Sequence, residues 1–295
     1  MVPRRATHAV SSSGREDGGG VAGVPHARGE VRDRLRALGI RPARRLGQSF
    51  LFDPFVGDME AALLELPPGT PVTEIGGGLG ILTEALLRRG LGPLRVIERD
   101  RRLAAHLRST FGDRIRVEES DALVAGFGGE RAVVGNLPFS VATPILTRLF
   151  TARVPTIVAL LQKEVGGRYA AAPREHGYGR PAIQAALYGS VERFAPVPSS
   201  AFEPEPAVDG VLVRFRGRDG ELPVRSVPEF ERIVRELFAR RRKQLGNLLP
   251  GVAGSDAAAV GAAAAAGWPE GWARMRPEEL PPAAYFALAR SLGRG

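Results

Sequence analysis

Asn136, Leu137, Pro138 and Phe139 combine groups that could hold a flat, nitrogen-bearing ring. An Asn amide both donates and accepts hydrogen bonds, and an aromatic side chain can stack on a base, worth ~1–3 kcal/mol. The Asn136 side-chain oxygen and the Leu137 carbonyl could accept both hydrogens of an adenine amine, which would favour a pyramidal nitrogen with its lone pair toward an electrophile. No general base is needed, because the proton can leave once the nitrogen is cationic. The motif is equally consistent with Asn136 capping the next turn and Phe139 lying in the core.

Two carboxylates and a glycine-rich loop precede this motif, each after a predicted strand. The glycines at 76, 78 and 80 would let the backbone turn tightly toward a ligand at a helix N-terminus. Glu98 lies where an acidic residue accepts hydrogen bonds from a ribose diol, and Asp121 could accept from an adenine amino group. Each feature alone has an ordinary reading, as a turn without a ligand or an acidic strand end. Together they predict a nucleoside pocket at the carboxyl ends of adjacent strands.

Alternating β-rich and helical segments are predicted to position these residues. Helical spacing appears in "EVRDRLRALGI" before the first strand, and the alternation then continues to about residue 215. This pattern predicts an α/β fold with a mainly parallel sheet. The C-terminal quarter is predicted to be helical, in "PEFERIVRELFARRRKQLGNLL", a buried Ala-rich helix and "PAAYFALARSLG". The strand candidates are "PVTEIG", "LRVIE", "RIRVEE", "AVVGN", "TIVALLQ" and "GVLVRF", and the helical segments between them are "GILTEALLRRG", "DRRLAAHLRSTF", "TPILTRLF" and "GRPAIQAALYG".

Composition narrows the classes of partner and cofactor. The 295 residues carry a formal charge of +9 and a pI near 10.9, which favours an anionic partner, nucleic acid first. The absence of cysteine excludes disulfides, iron–sulfur clusters and thiol catalysis, and the four histidines lack ligand spacing, so no metal is expected. No apolar run reaches the ~20 residues that span a bilayer. The first 29 residues lack a signal peptide's apolar region and are predicted to be a disordered extension of a cytoplasmic protein.

Six segments, in order, resemble the rRNA adenine N6-dimethyltransferases, the family of the KsgA group and the Erm resistance enzymes. The resemblance covers about residues 30 to 295 and implies a Rossmann-like class I S-adenosylmethionine-dependent methyltransferase with a small C-terminal α-helical domain. It predicts a catalytic domain at 30–218 and a helical rRNA-binding domain at 219–295. The segments are "RRLGQSFLFD", "EIGGGLGILT", "VIERD" with "SDAL", "NLPF" and "FEPEPAVDGVLVRF".

The resemblance assigns roles to individual residues. It implies that S-adenosylmethionine is bound by Ser49, Leu51, Gly76, Gly78, Glu98, Asp121 and Asn136. It implies that the target adenine is held at a catalytic segment made of Asn136, Leu137, Pro138 and Phe139, with Phe202 closing over the other face of the base. Four residues depart from the family pattern: Ser49 replaces Asn, Gly77 replaces a common Pro, Phe139 replaces the more frequent Tyr and Gly210 replaces Ser. None of these changes removes a group that the chemistry requires.

The C-terminal segment favours the KsgA group within this family. "LFARRRKQLGNLL" and "RMRPEELPPAAYFALARSL" resemble that group's closing helices, and Arg240, Arg241, Arg242 and Lys243 interrupt an apolar stripe. A basic run is usually a solvated face, but beside an RNA-methylating site it favours phosphate contacts. The resemblance implies dimethylation of two adjacent adenines in the 3′-terminal hairpin loop of small-subunit rRNA. The expected partner is the immature small ribosomal subunit, bound by a monomer during ribosome biogenesis.

Three alternatives remain open from the sequence. An Erm-type enzyme would dimethylate one large-subunit adenine and give macrolide resistance. A ribosome-assembly or transcription-related protein could keep the fold and bind RNA without catalysis, but Glu98, Asp121 and Asn136 are all present. A small-molecule methyltransferase would not need the basic C-terminal segment or the high pI.

Overall fold

The computed structural model describes residues 23–42 and 48–292. Seven of the strands in these ranges form one sheet and two short strands form a separate pair. The strands are β1 (Phe50–Leu51), β2 (Val72–Ile75), β3 (Leu94–Glu98), β4 (Ile115–Glu119), β5 (Ala132–Asn136), β6 (Thr156–Gln162), β7 (Gly189–Val197), β8 (Phe202–Glu203) and β9 (Gly210–Gly217).

The helices lie between and after these strands. The helices are α1 (Arg28–Ala37), α2 (Pro54–Leu63), α3 (Ile81–Arg88), α4 (Arg101–Phe111), α5 (Ala142–Thr151), α6 (Lys163–Ala170), α7 (Arg180–Tyr188), α8 (Val227–Ala239), α9 (Leu249–Ala253), α10 (Asp256–Ala265) and α11 (Pro282–Leu292). The predicted α/β architecture is confirmed.

The sheet has the order β4-β3-β2-β5-β6-β9-β7, and its first five strands are parallel. All six strands expected from the sequence are present. β2 is buried at all four positions and β6 at six of its seven. The parallel arrangement brings the carboxyl ends of β2 to β5 to a single edge of the sheet, where ligands of open α/β sheets bind.

Several elements differ from the sequence prediction. The edge strand β7 was not expected, because "GSVERFAPV" is polar and contains Pro196, which an edge strand tolerates. α2 and α6 were also missed. The segment predicted as one helix from Pro228 onward ends at Ala239, and a turn and one short 3₁₀ segment (Leu245–Asn247) separate it from α9. The Ala-rich helix α10 is buried on one face only, since Val260 is 60% exposed.

The C-terminal helices share a hydrophobic core with the sheet. Phe230 and Leu237 of α8 and Tyr285 of α11 belong to the same buried cluster as Ile145 of α5 and Val213 of β9. The Tyr178 hydroxyl also donates to the Leu280 carbonyl at 2.8 Å. The boundary between a catalytic domain and a C-terminal domain at residues 218 and 219 stays a prediction.

The predicted N-terminal extension and part of the first signature segment fall outside the described residues. These are residues 1–22 of the extension and residues 43–47. Residues 23–29, which the extension was expected to include, have defined contacts: His26 lies 2.9 Å from Glu84 of α3, and α1 begins at Arg28. Within residues 23–42 and 48–292, no helix combines the length and apolarity needed to cross a membrane.

Candidate active site

The glycine-rich loop joins β2 to α3 at the edge of the sheet described above. Gly76, Gly78 and Gly80 all have positive φ (75°, 56° and 96°), a region that side chains with a Cβ rarely adopt. The Gly76 amide donates to the Ile97 carbonyl at 2.8 Å, which ties the loop to the end of β3. The Phe50 ring covers the loop, because a Cβ on Gly78 would lie 3.6 Å from it. The loop is therefore held in the tight conformation that the sequence predicts.

Glu98 ends β3 directly beside this loop. Its Oε2 accepts from the Gly78 amide at 3.1 Å and its Oε1 accepts from the Asp100 amide at 2.9 Å. Burial raises the pKa of Glu98, and the hydrogen bonds from Asp100 and Gly78 oppose that increase. A carboxylate can accept about four hydrogen bonds, so both oxygens keep capacity for a ligand's hydroxyl groups.

Asp121 lies two residues beyond β4, next to Glu98 across the sheet. Ser120 donates its amide to the Glu98 carbonyl at 3.3 Å, which joins the two strand ends. Asp121 Oδ1 accepts from the Leu123 amide at 2.9 Å, and Oδ2 lies 3.3 Å from Arg99 Nη1. The side chain is half-buried. The structure thus brings together the loop, Glu98 and Asp121 as expected, and their roles toward a ligand stay predictions.

Asn136 ends β5 on the other side of β2. Gly135 allows β5 to approach β2 closely, since a Cβ at that position would lie 2.4 Å from the Ile75 carbonyl oxygen. The Asn136 carbonyl oxygen consequently lies 4.0 Å from the position that a Cβ on Gly76 would occupy. The motif and the glycine loop are immediate neighbours.

The Asn136 side chain faces α2, where it meets Glu60. With its amide nitrogen toward the helix, Asn136 can donate to an ionised Glu60, whose Oε1 and Oε2 lie at 2.7 Å and 3.1 Å, whereas the opposite orientation would set its oxygen against those acceptors. Asn136 does not cap the following helix, because the N-cap of α5 is Val141 and it makes no side-chain bond. The alternative that Asn136 caps the next turn stays a prediction.

Glu60 was not identified from the sequence, although a signal was available. It is fully buried on the face of α2 that carries Val56 and Leu64, four residues to either side, where an apolar residue is normally found. Burial raises the pKa of Glu60 well above its usual range, and the nearby Glu74 carboxylate raises it further. Glu74 itself accepts from the Thr83 hydroxyl at 2.7 Å, and burial raises its pKa to about 8.

The remaining residues of the motif differ in exposure. The Leu137 side chain is buried in the main core, Pro138 is exposed and Phe139 is half-buried. A turn follows, in which the Val141 amide donates to the Pro138 carbonyl at 3.0 Å. Phe139 is not a core residue, so its ring has a surface left for a ligand.

The two outer signature segments pair with each other. β1 and β8 form a short antiparallel ladder in which Leu51 lies opposite Phe202. Ser49, just before β1, is half-buried. Phe202 is 4% exposed and belongs to the same buried cluster as Leu51, Val56 and Ile81, and its role over the base stays a prediction. The pairing with Leu51 places both side chains in that cluster, so Phe202 has no free face here.

Two of the residues that depart from the family pattern, Gly77 and Gly210, are closely surrounded by neighbouring side chains. A Cβ at Gly77 would lie 2.6 Å from Val96 and 2.8 Å from Leu107, so the packing of these side chains leaves room for glycine. A Cβ at Gly210 would similarly lie 2.8 Å from Leu160.

The basic run lies in the turn after α8 and not within a helix, in contrast to the sequence prediction. Arg240 is the C-cap of α8, and the Lys243 amide donates to the Arg240 carbonyl at 2.8 Å. All four side chains from Arg240 to Lys243 are exposed, and none pairs with a carboxylate within residues 23–42 and 48–292. Arg232 of α8, by comparison, binds both Glu229 and Glu236.

No cluster of potential metal ligands occurs within residues 23–42 and 48–292.

Comparisons with known proteins agree with this geometry. Residues 41–260 match the model of the family described as "Ribosomal RNA adenine dimethylase". The chain is 36% identical over 266 residues to "Ribosomal RNA small subunit methyltransferase A" of Vibrio cholerae, covering 86% of this chain and 95% of that protein. A protein of the same name from Laribacter hongkongensis is 39% identical over 231 residues, which cover 75% of this chain and 87% of the relative.

Two solved structures share the fold over most of the chain. A dimethyladenosine transferase from Plasmodium falciparum superposes with a TM-score of 0.70 at 22% identity, covering 81% of this chain and 95% of that one. The 23S rRNA methyltransferase ErmE superposes with a TM-score of 0.62 at 25% identity, covering 83% of this chain and all of the other. From the family match and the near full-length relatives together, the chain belongs to the ribosomal RNA adenine dimethylase family.

Proposed function

We propose that this chain dimethylates N6 of two adjacent adenines in the 3′-terminal hairpin loop of small-subunit rRNA during ribosome biogenesis. The observation that carries the proposal is the near full-length similarity to relatives named for the small subunit, which reaches 95% of the length of the Vibrio cholerae protein. As a member of its family the chain is an rRNA adenine dimethyltransferase, with S-adenosylmethionine as the methyl donor.

The methyl donor is held at the edge formed by β2, β3 and β4. The glycine loop supports this assignment. Gly76 and Gly78 have positive φ and no side chains, so a ligand can approach the backbone of the loop closely. Glu98 accepts the ribose hydroxyls and Asp121 accepts the adenine amino group. Ser49 and the backbone at Leu51 border the methionine end. Bound there, S-adenosylmethionine supplies an electrophilic methyl group.

The target adenine is held at the end of β5. Asn136 accepts one hydrogen of the N6 amine through its side-chain oxygen, and the Leu137 carbonyl accepts the other. Phe139 stacks on the base, which offsets part of the few kcal/mol spent on unstacking it. These two acceptors would direct the N6 lone pair toward the donor. The N6–C bond would then form as the sulfur–methyl bond of the donor breaks, with S-adenosylhomocysteine as the leaving group, and the N6 proton would pass to solvent afterwards. Pro138 stiffens the turn that keeps these acceptors in place.

The exposed cations of the turn after α8 contact phosphate. Arg240, Arg241, Arg242 and Lys243 have no carboxylate partner among the described residues, and unpaired exposed cations are what backbone contacts to RNA require. The predicted rRNA-binding region at 219–295 includes this turn. The partner is the immature small ribosomal subunit in the cytoplasm, and the enzyme acts as a monomer.

Site-mapped methylation tests the proposal. Purified protein and labelled S-adenosylmethionine are incubated with undermethylated small subunits and, separately, with large subunits, and modified adenines are located by primer extension. We expect label in two neighbouring adenines near the small-subunit 3′ end. Label in a single large-subunit adenine would assign an Erm-type activity, and no label in either subunit would support a binding protein without catalysis.

A further inference from the structure

We propose that Glu60 is a positioning residue for methyl transfer, which holds the Asn136 amide with its nitrogen toward α2 and its oxygen toward the reacting amine. The inference rests on the family activity and goes beyond it, because none of the signature segments includes Glu60. Both Glu60 oxygens lie within hydrogen-bond distance of the Asn136 amide group, at 2.7 and 3.1 Å.

The orientation of this amide decides whether Asn136 can act. An Asn side chain carries an acceptor on one side and two donors on the other. Only the oxygen can accept a hydrogen of the N6 amine, so an amide turned by 180° would present donors to a group that itself donates. β5 fixes where Asn136 lies, but rotation about the last side-chain bond is fixed only by its hydrogen-bond partners.

Glu60 is suited to this task because its position is rigid and dry. It is fully buried, and α2 packs against α3, β5 and β6. A carboxylate has only acceptors, so an ionised Glu60 tolerates only the nitrogen of the amide. A buried carboxylate is costly to the fold. An acidic residue on this otherwise apolar face of α2 therefore has no explanation in packing.

Protonation of Glu60 reverses the preference of the amide. A protonated carboxyl group can donate to the Asn136 oxygen and turn it away from the substrate. The charged group that acts on Glu60 from β2 is Glu74, whose carboxylate disfavours ionisation. On α3, Arg88 binds Asp58 and Glu84, and Glu84 also contacts His26. β5 and β6 contain no charged residue. We therefore expect the rate of methyl transfer to rise with pH through a transition above the ordinary carboxyl range.

Substitutions at Glu60 test the proposal with intact, folded enzyme. Glu60→Met keeps the size and removes every acceptor, and apolar replacement of a buried charge is often neutral or stabilising. Glu60→Gln keeps one oxygen that can accept from Asn136. We expect Glu60→Met to lower kcat by about 10- to 100-fold, with little change in KM for RNA or in the affinity for S-adenosylmethionine. Glu60→Gln should recover most of kcat and lose the pH transition.

Asp58→Asn is the matched control, because it removes a carboxylate from the same helix that contacts Arg88 and not Asn136. Its kcat and pH profile should equal those of the wild type. The proposal is overturned if Glu60→Met has wild-type kcat, or if the Met and Gln variants lose activity equally in step with a lower melting temperature. Inactivity of the wild type itself would instead contradict the proposed function.

A measurement without turnover keeps the two questions separate. The side-chain ¹⁵N–H₂ signals of Asn136 can be assigned by their loss in Asn136→Ala. A hydrogen bond to Glu60 predicts slow hydrogen exchange at this group, and Glu60→Met should accelerate it. Equal exchange in the wild type and in Glu60→Met would contradict the contact and the role.

Discussion

Three polar side chains, Glu98, Asp121 and Asn136, end three parallel strands, and their positions follow from the chemistry of those strand ends. The backbone amides of Gly78 and Asp100 fix the Glu98 carboxylate, and the Leu123 amide fixes Asp121. Asn136 depends on a side chain instead, the Glu60 carboxyl group. Backbone amides therefore hold the two carboxylates of the proposed donor pocket, and one buried side chain contacts Asn136, the proposed acceptor for the target base.

Removal of the Glu98 carboxylate tests the pocket for the methyl donor. We expect Glu98→Ala to weaken S-adenosylmethionine binding by roughly 10- to 100-fold, because hydrogen bonds to a charged group contribute about 1.5–3 kcal/mol. The loss also frees the Gly78 amide and loosens the loop. Isothermal titration calorimetry measures the affinity. Unchanged affinity would contradict the assignment of the pocket. An unfolding curve of Glu98→Ala that matches the wild type would show that a loss of affinity does not come from a loss of global stability.

At the scale of the elements, β2 carries a buried acid into the core. Glu74 is fully buried with Thr83 as its hydrogen-bond partner, and its pKa is raised from about 4.5 to about 8. An acid with a raised pKa in the folded state binds its proton more tightly when folded. Its contribution to stability is therefore most favourable below pH 4.5 and declines as the pH rises toward 8.

Glu74→Gln should remove this dependence. We expect the free energy of unfolding of the variant, relative to the wild type, to increase between pH 5 and pH 8, by roughly 3 kcal/mol. The Gln side chain can still accept from Thr83, so the shape of the site is kept. Urea unfolding at several pH values measures the difference. A difference that stays constant with pH would mean that Glu74 titrates normally in the folded protein.

Elements with strong local signals were predictable and those with mixed signals were not. The apolar runs of β5 and β6 predict buried parallel strands, and both are confirmed. β7 is an edge strand with exposed polar positions and a proline, which obscure its period. α2 contains Gly57 and Glu60 on its buried side, so its apolar stripe is interrupted. α8 ends at Ala239 because the four cations that follow lie in a solvated turn.

The site was predictable to the extent that each residue follows a recognisable strand. The glycine loop, Glu98, Asp121 and Asn136 were placed from the sequence, and the structure brings them together. The acidic residue Glu60 on an apolar helix face could have been noticed, but its contact with Asn136 could not be predicted, because it depends on the packing of α2 over the end of β5, 76 positions away in sequence. The burial of Phe202 similarly depends on its pairing with Leu51 of β1.

At the scale of the whole molecule, some basic side chains pair with carboxylates and others do not. The formal charge is +9, yet many arginines are neutralised locally, such as Arg214 by Glu65 and Glu192. The turn at residues 240–243 is different, because its four exposed cations lack carboxylate partners within the described ranges. This turn is the surface on which we expect RNA affinity to depend.

Charge reversal at Arg240, Arg241, Arg242 and Lys243 tests that surface. We expect weaker binding to rRNA or to small subunits and a shallower dependence on salt, since each lost phosphate contact reduces the slope of log K against log salt by about 0.7–0.9. Filter binding across a series of salt concentrations measures the slope. A pair of single substitutions serves as the control. Arg241→Glu changes one charge in the turn, and Arg36→Glu makes the same change at an exposed arginine of α1 that lies beside Asp33. Equal slopes for the wild type and the four-residue variant would make the turn an ordinary solvated surface.

The most direct test of the central claim, that Asn136 holds the target adenine for methyl transfer to rRNA, is single-turnover methylation of undermethylated small subunits by Asn136→Ala. We expect the rate to fall by about 100-fold or more, the order of loss for one preorganised transition-state hydrogen bond, while RNA binding stays close to that of the wild type. A wild-type methylation rate in Asn136→Ala would contradict the account.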